Sequence, residues 1–195
     1  VNIREDRSPY FVSYTDESVD DVLKACELLI PRLDQEVFTH LKLPADLGAE
    51  ILMRVPHGAE LSLMPDRVSI FITPPRTYYR AHKDGLHLQF GLNYPLIIRD
   101  QKAITRWYKS EDVDGSYEID AGKKGGENTR EVLGFNPLKT RADCTTSMKL
   151  DELLLFNVGE YHDFHNRSPY YRVILTLRSD DPSLTFKDAA RILQQ

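Results

Sequence analysis

Short runs in which apolar and polar residues alternate, separated by Pro, Gly, Asn and Asp, fill most of the chain between residues 49 and 178. Successive side chains of a strand point to opposite faces, so a period of two implies sheets with a buried face and confines the fold to packed β layers. The alternation predicts strands at AEILMRV (49–55), AELSLM (59–64), RVSIFIT (67–73), HLQFGLNYPLII (87–98) and AITRWYK (103–109). It also predicts ELLLFNVG (152–159) running into EYHDFHN (160–166), and then YYRVILTLR (170–178). Helical spacing is confined to the flanks. Val19, Val22, Leu23, Cys26, Leu29, Ile30 and Leu33 follow an acidic start with a capping Ser or Thr, so a helix is expected over about 15–40, kinked or divided at Pro31. TFKDAARILQQ opens with the capping pattern T-x-x-D and predicts a short helix over about 185–194. Strands in the middle and helices at the ends favour a mainly β, double-sheeted architecture over a parallel α/β fold.

At 195 residues the expectation is a single domain with room for a real core. A hydrophobic content of 41% and a charged content of 28% place it among ordinary globular chains. The net charge of −5 leaves no overall footprint for nucleic acid, which is not an expected partner. No apolar run approaches the roughly 20 residues of a membrane span. The two cysteines, Cys26 and Cys144, have no metal-site spacing and cannot make a disulfide framework. With no signal-peptide pattern at the start, a reducing, cytoplasmic setting is the expectation. No Gly-rich phosphate loop follows any strand. From about 110 to 146 the chain is polar, rich in Gly and Asp and without a period, as suits either a lid or an insertion.

Two stretches carry chemistry. In RAHKDGLHLQF (80–90), strand register puts His82 and Asp84 on one face, followed by Leu86, Leu88, Phe90, Leu92 and Tyr94. An imidazole and a carboxylate about 6–7 Å apart along a strand can converge on iron, zinc or manganese; the simpler reading is a surface turn at KDG. In EYHDFHNRSPYYRVILTLR, His162, Phe164 and Asn166 share one face and Asp163 and His165 the other. After a turn at NRSP, Arg172, Ile174 and Thr176 oppose Tyr171, Val173, Leu175 and Leu177, so a buried strand carries an arginine. Burying a guanidinium without an anion costs several kcal/mol. The anion is either a protein carboxylate or a ligand carboxylate held by two hydrogen bonds.

His82-x-Asp84, the later His162, and Arg172 ten positions beyond it together resemble the pattern of the Fe(II)/2-oxoglutarate-dependent oxygenases. The resemblance runs from about Ile72 to Leu177 and includes PPRTYYRAHKDG, LNYPL, TRWYK and the H-x-F-x-N … R-V-I-L-T-L segment, in the manner of prolyl and asparaginyl hydroxylases. It implies a double-stranded β-helix of jelly-roll or cupin type with flanking helices, the N-terminal one packed on the major sheet. It implies His82, Asp84 and His162 as catalytic metal ligands that leave positions on Fe(II) open for 2-oxoglutarate and O2. Arg172 is then the partner of the far carboxylate of 2-oxoglutarate, a contact worth roughly 1.5–3 kcal/mol. Some relatives add a Ser or Thr two residues after this arginine, but here that position is Ile174, and Thr176 lies one step deeper. The helper must come from elsewhere, and Tyr79 is the candidate. Asn93 and Trp107 are candidates for the pocket wall, each with a simpler structural reading.

His165 competes with His162, but strand register and the spacing to Arg172 favour His162, provided that Gly159 introduces no bulge. His57 and His87 read as non-ligands. The implied activity is hydroxylation of an unidentified amino acid, peptidyl residue or small metabolite, coupled to decarboxylation of 2-oxoglutarate to succinate and CO2. The 110–146 segment could close over that substrate. Arg76, Arg80, Lys83, Lys123 and Lys124 near the expected entrance suit an acidic or peptidic substrate, or simply face solvent. Two alternatives remain: a non-catalytic jelly-roll module binding a sugar or peptide, and a cupin-type metalloenzyme that does not use 2-oxoglutarate. The complete ligand set argues against the first and the arginine against the second.

Overall fold

A computed structural model of the chain describes residues 2–15, 18–26, 39–84, 88–109, 116–120, 129–133 and 141–195; of 2–7, 18, 116–120 and 129–133 it describes the backbone alone. The elements are β1 (Asn2–Arg7), β2 (Phe11–Thr15), α1 (Ser18–Cys26), β3 (Thr39–Lys42), α2 (Ala45–Leu52), β4 (Ser69–Thr73), β5 (Tyr78–Lys83) and β6 (Phe90–Ile97). There follow β7 (Ala103–Tyr108), β8 (Ser116–Asp120), β9 (Thr129–Leu133), β10 (Cys144–Ser147), β11 (Leu153–Asn157), β12 (Tyr161–Asn166), β13 (Arg172–Arg178) and α3 (Phe186–Ile192). Seven strands form one sheet in the order β1-β2-β11-β6-β13-β4-β3, and six form another in the order β10-β7-β12-β5-β9-β8. Every pairing is antiparallel. The architecture is the expected mainly β, double-stranded β-helix of jelly-roll type with helical flanks. No helix among the described residues is long and apolar enough to cross a membrane.

Alternation along the seven-stranded sheet sorts side chains between two buried spaces. Ile70 and Ile72, Leu92 and Tyr94, Leu153 and Leu155, and Val173, Leu175 and Leu177 face outward into a core shared with the helices. Val19, Val22 and Cys26 of α1 lie in that core, and α1 packs on β6, as expected for the N-terminal helix. The intervening Leu154, Phe156 and Ile174 face the other sheet and pack around Trp107. Each fully buried side chain of this size contributes about 1.5–3 kcal/mol. Burial on both faces explains why these strands read as nearly continuous apolar runs. The capping box predicted for the last helix is present, with the Thr185 hydroxyl accepting from the Asp188 N–H.

Several expected elements differ. Residues 49–55 were expected as a strand, but most belong to α2, which starts after Pro44 with Asp46 in its first turn. Leu47 and Ile51, four residues apart, turn one face of α2 to the core, and Val55 joins them from the turn beyond. Residues 59–64 form turns rather than a strand: His57 and Ser62 have φ of 55° and 50°, which break an extended register, and a single bridge joins Leu63 to Ser179. The N-terminal helix is α1 alone as far as it is described, because Pro31 and its expected kink lie outside the described residues, and Thr39–Lys42 is strand β3. Residues 2–15 add two strands that the period left unassigned. Within 110–146, β8 and β9 form a hairpin that extends the six-stranded sheet beside β5, and β10 pairs with β7. The remaining parts of the expected lid, 110–115, 121–128 and 134–140, lie outside the described residues.

The outer face of the six-stranded sheet carries a buried ionic knot. Asp163 on β12 is inaccessible to solvent and accepts from Arg106 Nε at 2.9 Å and Arg106 Nη2 at 2.5 Å. It also accepts from the hydroxyls of Tyr108 at 2.8 Å and Tyr78 at 3.2 Å, which ties together β5, β7 and β12. Replacing Asp163 by Ala strands Arg106 and is expected to destabilise the fold by about 3–5 kcal/mol, read as a lower urea midpoint. Gly48 of α2 meets the backbone of the 65–67 turn so closely that a Cβ would stand 2.0 Å from the Pro65 carbonyl oxygen. Gly48→Ala is therefore expected to cost about 1–3 kcal/mol or more in the same measurement.

Candidate active site

β5 and β12 are neighbours, and His82 pairs directly with His162, their ring centroids 4.5 Å apart. Each Nδ1 lies against a carbonyl two residues upstream, His82 at 2.7 Å from Arg80 O and His162 at 2.9 Å from Glu160 O. A carbonyl only accepts, so both rings carry their proton on Nδ1, and a neutral ring then offers the Nε2 lone pair. Burial, then the neighbouring His82, pushes the His162 imidazole down to about 3, leaving it neutral at pH 7. This is the outer-sphere bonding that orients metal-ligating histidines.

Asp84 sits just past the end of β5, where its N–H donates to Val158 O at 3.0 Å and pins it to the crossing between β11 and β12. Its Oδ1 lies 3.3 Å from His82 Nε2, and its Oδ2 lies 2.6 Å from Arg178 Nη2. Burial alone would raise this carboxyl, but the Arg178 guanidinium, helped by His82 and His162, holds it well below the usual carboxylate range. With the His82 proton on Nδ1, two lone-pair atoms face one another across 3.3 Å, an arrangement that calls for a second proton or a metal ion. One donor atom from each of His82, Asp84 and His162 lies within 4.8 Å of the others. Two imidazoles and one carboxylate, with positions left open, form the donor set of non-haem Fe(II) oxygenases. The residues fit that group.

These side chains open on a cavity of about 90 Å3 between the sheets, which also receives Arg172, Tyr79 and Asn93. Arg172 is 6% exposed, and its Nε has no hydrogen-bond partner among the described residues. Its Nη2 lies 3.6 Å from the Met148 sulfur, a weak acceptor, and its Cζ stacks 4.3 Å from the centre of the Phe164 ring. Burial pushes its guanidinium down to about 9, and no carboxylate among the described residues offsets that. Among the described residues no protein carboxylate is found there, which leaves a ligand carboxylate as the other expected anion.

Tyr79 reaches the cavity through a register shift. His162 pairs with His82 and Phe164 with Tyr79, so β5 holds one residue more than β12 between these points. That bulge brings Tyr79 and His82, three residues apart, to one side, with rings in edge contact at 4.9 Å. Asn93 lines the cavity, but its amide donates to Gly91 O and Leu154 O and accepts from the Thr176 hydroxyl at 2.7 Å, which suits the simpler structural reading. Trp107 is fully buried, donates to Asn157 O at 3.0 Å, and belongs to the apolar cluster between the sheets.

One reading of the first stretch is corrected. His82 and Asp84 do not continue into an apolar wall of Phe90, Leu92 and Tyr94, because β5 and β6 belong to different sheets; Leu88 packs on the cluster between the sheets, and Leu86 lies outside the described residues. Phe90, Leu92 and Tyr94 face the helices, and Asn93 faces the cavity. Likewise β11 and β12 belong to opposite sheets, so parity does not run through Gly159; His162 and Phe156 still meet because the inner faces oppose. His165 lies on the outer face against Tyr78, ring centroids 5.8 Å apart, and accepts from Arg167 Nε. His57 is in a turn 3.8 Å from Glu60, and His87, Lys123 and Lys124 lie outside the described residues. Lys83 sits over the Tyr161 ring.

Three cavity residues escaped the reading of the sequence. Thr73 pairs with Arg172 across the larger sheet, and Thr105 pairs with Phe164 across the smaller, so two buried threonines line the same cavity as the arginine. Their roles depend on pairing partners distant in sequence. Arg178 had a signal, since it shares parity with Arg172, Ile174 and Thr176 on β13.

No protein-family model matches the sequence, and no curated protein matches it either. Among solved structures the chain is similar to EvdO2 from Micromonospora carbonacea var. aurantiaca complexed with 2-oxoglutarate, at 14% identity over 87% of this chain and 86% of that one, with a TM-score of 0.52. It is similar to the epimerase SnoN in complex with Fe3+, alpha ketoglutarate and nogalamycin RO, at 13% identity over 87% of this chain and 78% of that one, with a TM-score of 0.50. It also matches a hazelnut vicilin at 6% identity and a TM-score of 0.41, covering 79% of this chain and spanning about a third (32%) of the vicilin's length. At these identities the likeness to EvdO2 and SnoN establishes a shared fold.

Proposed function

We propose that the chain is an Fe(II)- and 2-oxoglutarate-dependent oxygenase that hydroxylates an amino acid, a peptidyl residue or a small metabolite. The observation that carries this reading is Arg172: a buried guanidinium with an unpartnered Nε, facing the same cavity as a His-Asp-His trio. An isolated buried charge is costly, and a site that keeps one is built for an incoming anion. A jelly-roll module without catalysis has no use for three converging ligands, and a cupin-type enzyme without 2-oxoglutarate has none for Arg172.

His82, Asp84 and His162 would hold Fe(II), which together with 2-oxoglutarate and O2 supplies C–H hydroxylation coupled to formation of succinate and CO2. Arg172 donates to the far carboxylate of the ketoacid, and Phe164 stacked on the guanidinium fixes its plane. Thr73, Thr105 and Tyr79 supply further hydroxyls on the same cavity. Phe156, Val158 and Ile174 give it apolar walls that exclude water. The small volume suits a compact cosubstrate, with the prime substrate entering from the open side.

Adding Fe(II) and 2-oxoglutarate without oxygen is expected to give a visible charge-transfer band. The band should vanish in His162→Ala and persist in His165→Ala. Arg172→Leu should leave metal binding in place and raise the 2-oxoglutarate needed for half the band about ten- to a hundredfold. Absence of metal-dependent 2-oxoglutarate binding by the unmodified chain overturns the reading. Products heavier by one oxygen, sought in a mixture of metabolites and peptides, identify the substrate.

A further inference from the structure

We propose that Arg178 is a positioning residue for Asp84: its guanidinium occupies one carboxylate oxygen, so that the other alone is presented to an ion shared with His82 and His162. The inference rests on reading that trio as metal ligands and assigns a duty to a residue outside it. Arg178 Nη2 lies 2.6 Å from Oδ2 of Asp84, while Oδ1 points to His82 Nε2 at 3.3 Å. A free carboxylate can swing or chelate through both oxygens. One held by a charge-assisted hydrogen bond can do so only by breaking it.

The guanidinium is itself held from behind. Nη1 donates to Phe90 O at 3.4 Å, and the group lies against Gly91 of β6, where a Cβ would come within 2.8 Å of Nη1 and 3.1 Å of Cζ. The missing side chain at position 91 gives the guanidinium its place. Both partners are shielded, with side chains 17% exposed for Arg178 and 5% for Asp84, so solvent screens the pair little. β13 thus carries two arginines to one cavity with separate duties. Arg172 is left for a ligand, and Arg178 is committed to a neighbouring carboxylate.

The test is titration of Co(II) into the full chain freed of metal by a chelator, followed by visible absorption, whose intensity reports ligand number. Arg178→Met is expected to weaken Co(II) binding about ten- to a hundredfold, the cost typical of losing an outer-shell partner, and to change band intensity as the carboxylate changes its binding mode. Arg178→Lys, which keeps the charge without the planar fork, should recover part of the affinity. Gly91→Ala displaces the guanidinium and should shift affinity the same way by a smaller factor, yet add nothing in an Arg178→Met background. Unchanged Co(II) affinity and spectrum in Arg178→Met overturn this inference and leave the trio as ligands. Failure of the unmodified chain to bind Co(II) overturns both. Should Arg178→Met not fold, wild-type behaviour of both Gly91→Ala and Arg178→Lys overturns the inference.

Discussion

Placing ionised side chains between or against apolar sheets costs several kcal/mol per charge unless an opposite charge stands close by. Three such centres lie on this chain's sheets or between them, and they are answered differently. Asp163 is met by Arg106 and two tyrosine hydroxyls, and Asp84 by Arg178 and His82. Arg172 has Phe164 beneath it and a methionine sulfur beside it, neither of which neutralises a charge. The two satisfied centres explain how the strands hold together. The third is left without an opposite charge among the described residues.

The sandwich makes this difference possible by holding strands that are distant in sequence face to face. β5 and β12 bring two imidazoles into contact across the smaller sheet, and β13 projects its inward residues at them from the larger one. The chain changes sheet twice near the site, after Asp84 and around Gly159, and the Asp84 N–H to Val158 O bond ties these two crossings together. Each donor therefore rests on a strand or on a hydrogen-bonded strand end, and precise placement follows from the ladders themselves. The ionic knot at Asp163 ties β5 and β12 to their neighbour β7 from the outside, so the outer face supports the inner one.

The two histidines illustrate how backbone and side-chain chemistry cooperate. Their Nδ1 protons are committed to carbonyls of their own strands, which selects the tautomer and aims Nε2 inward before any ligand arrives. Arg178 holds one oxygen of Asp84 by a charge-assisted contact of 2.6 Å.

How much of this was legible in the sequence follows from the range of the forces involved. Period-two patterning is local, and so β4, β6, β7, β11, β12 and β13, the β class, the shared side of Arg172 and Ile174, and the capping box at Thr185 could be read from neighbouring residues. Residues 49–55 misled because a short apolar run suits either period, and Leu47, Ile51 and Val55 find their partners only in the assembled core. Parity could not be carried through Asp84 or Gly159, because a change of sheet reverses which face is inner. Nor could the bulge that aims Tyr79, the hydroxyls of Thr73 and Thr105 beside Arg172, or the Arg178–Asp84 pair be read, since each depends on a partner strand far along the chain. By itself the sequence determined which residue types were on offer and on which side of each strand they lay. Only the tertiary structure decided which of them meet, because cross-strand register and sheet exchange are set by packing the whole sandwich rather than by any one segment.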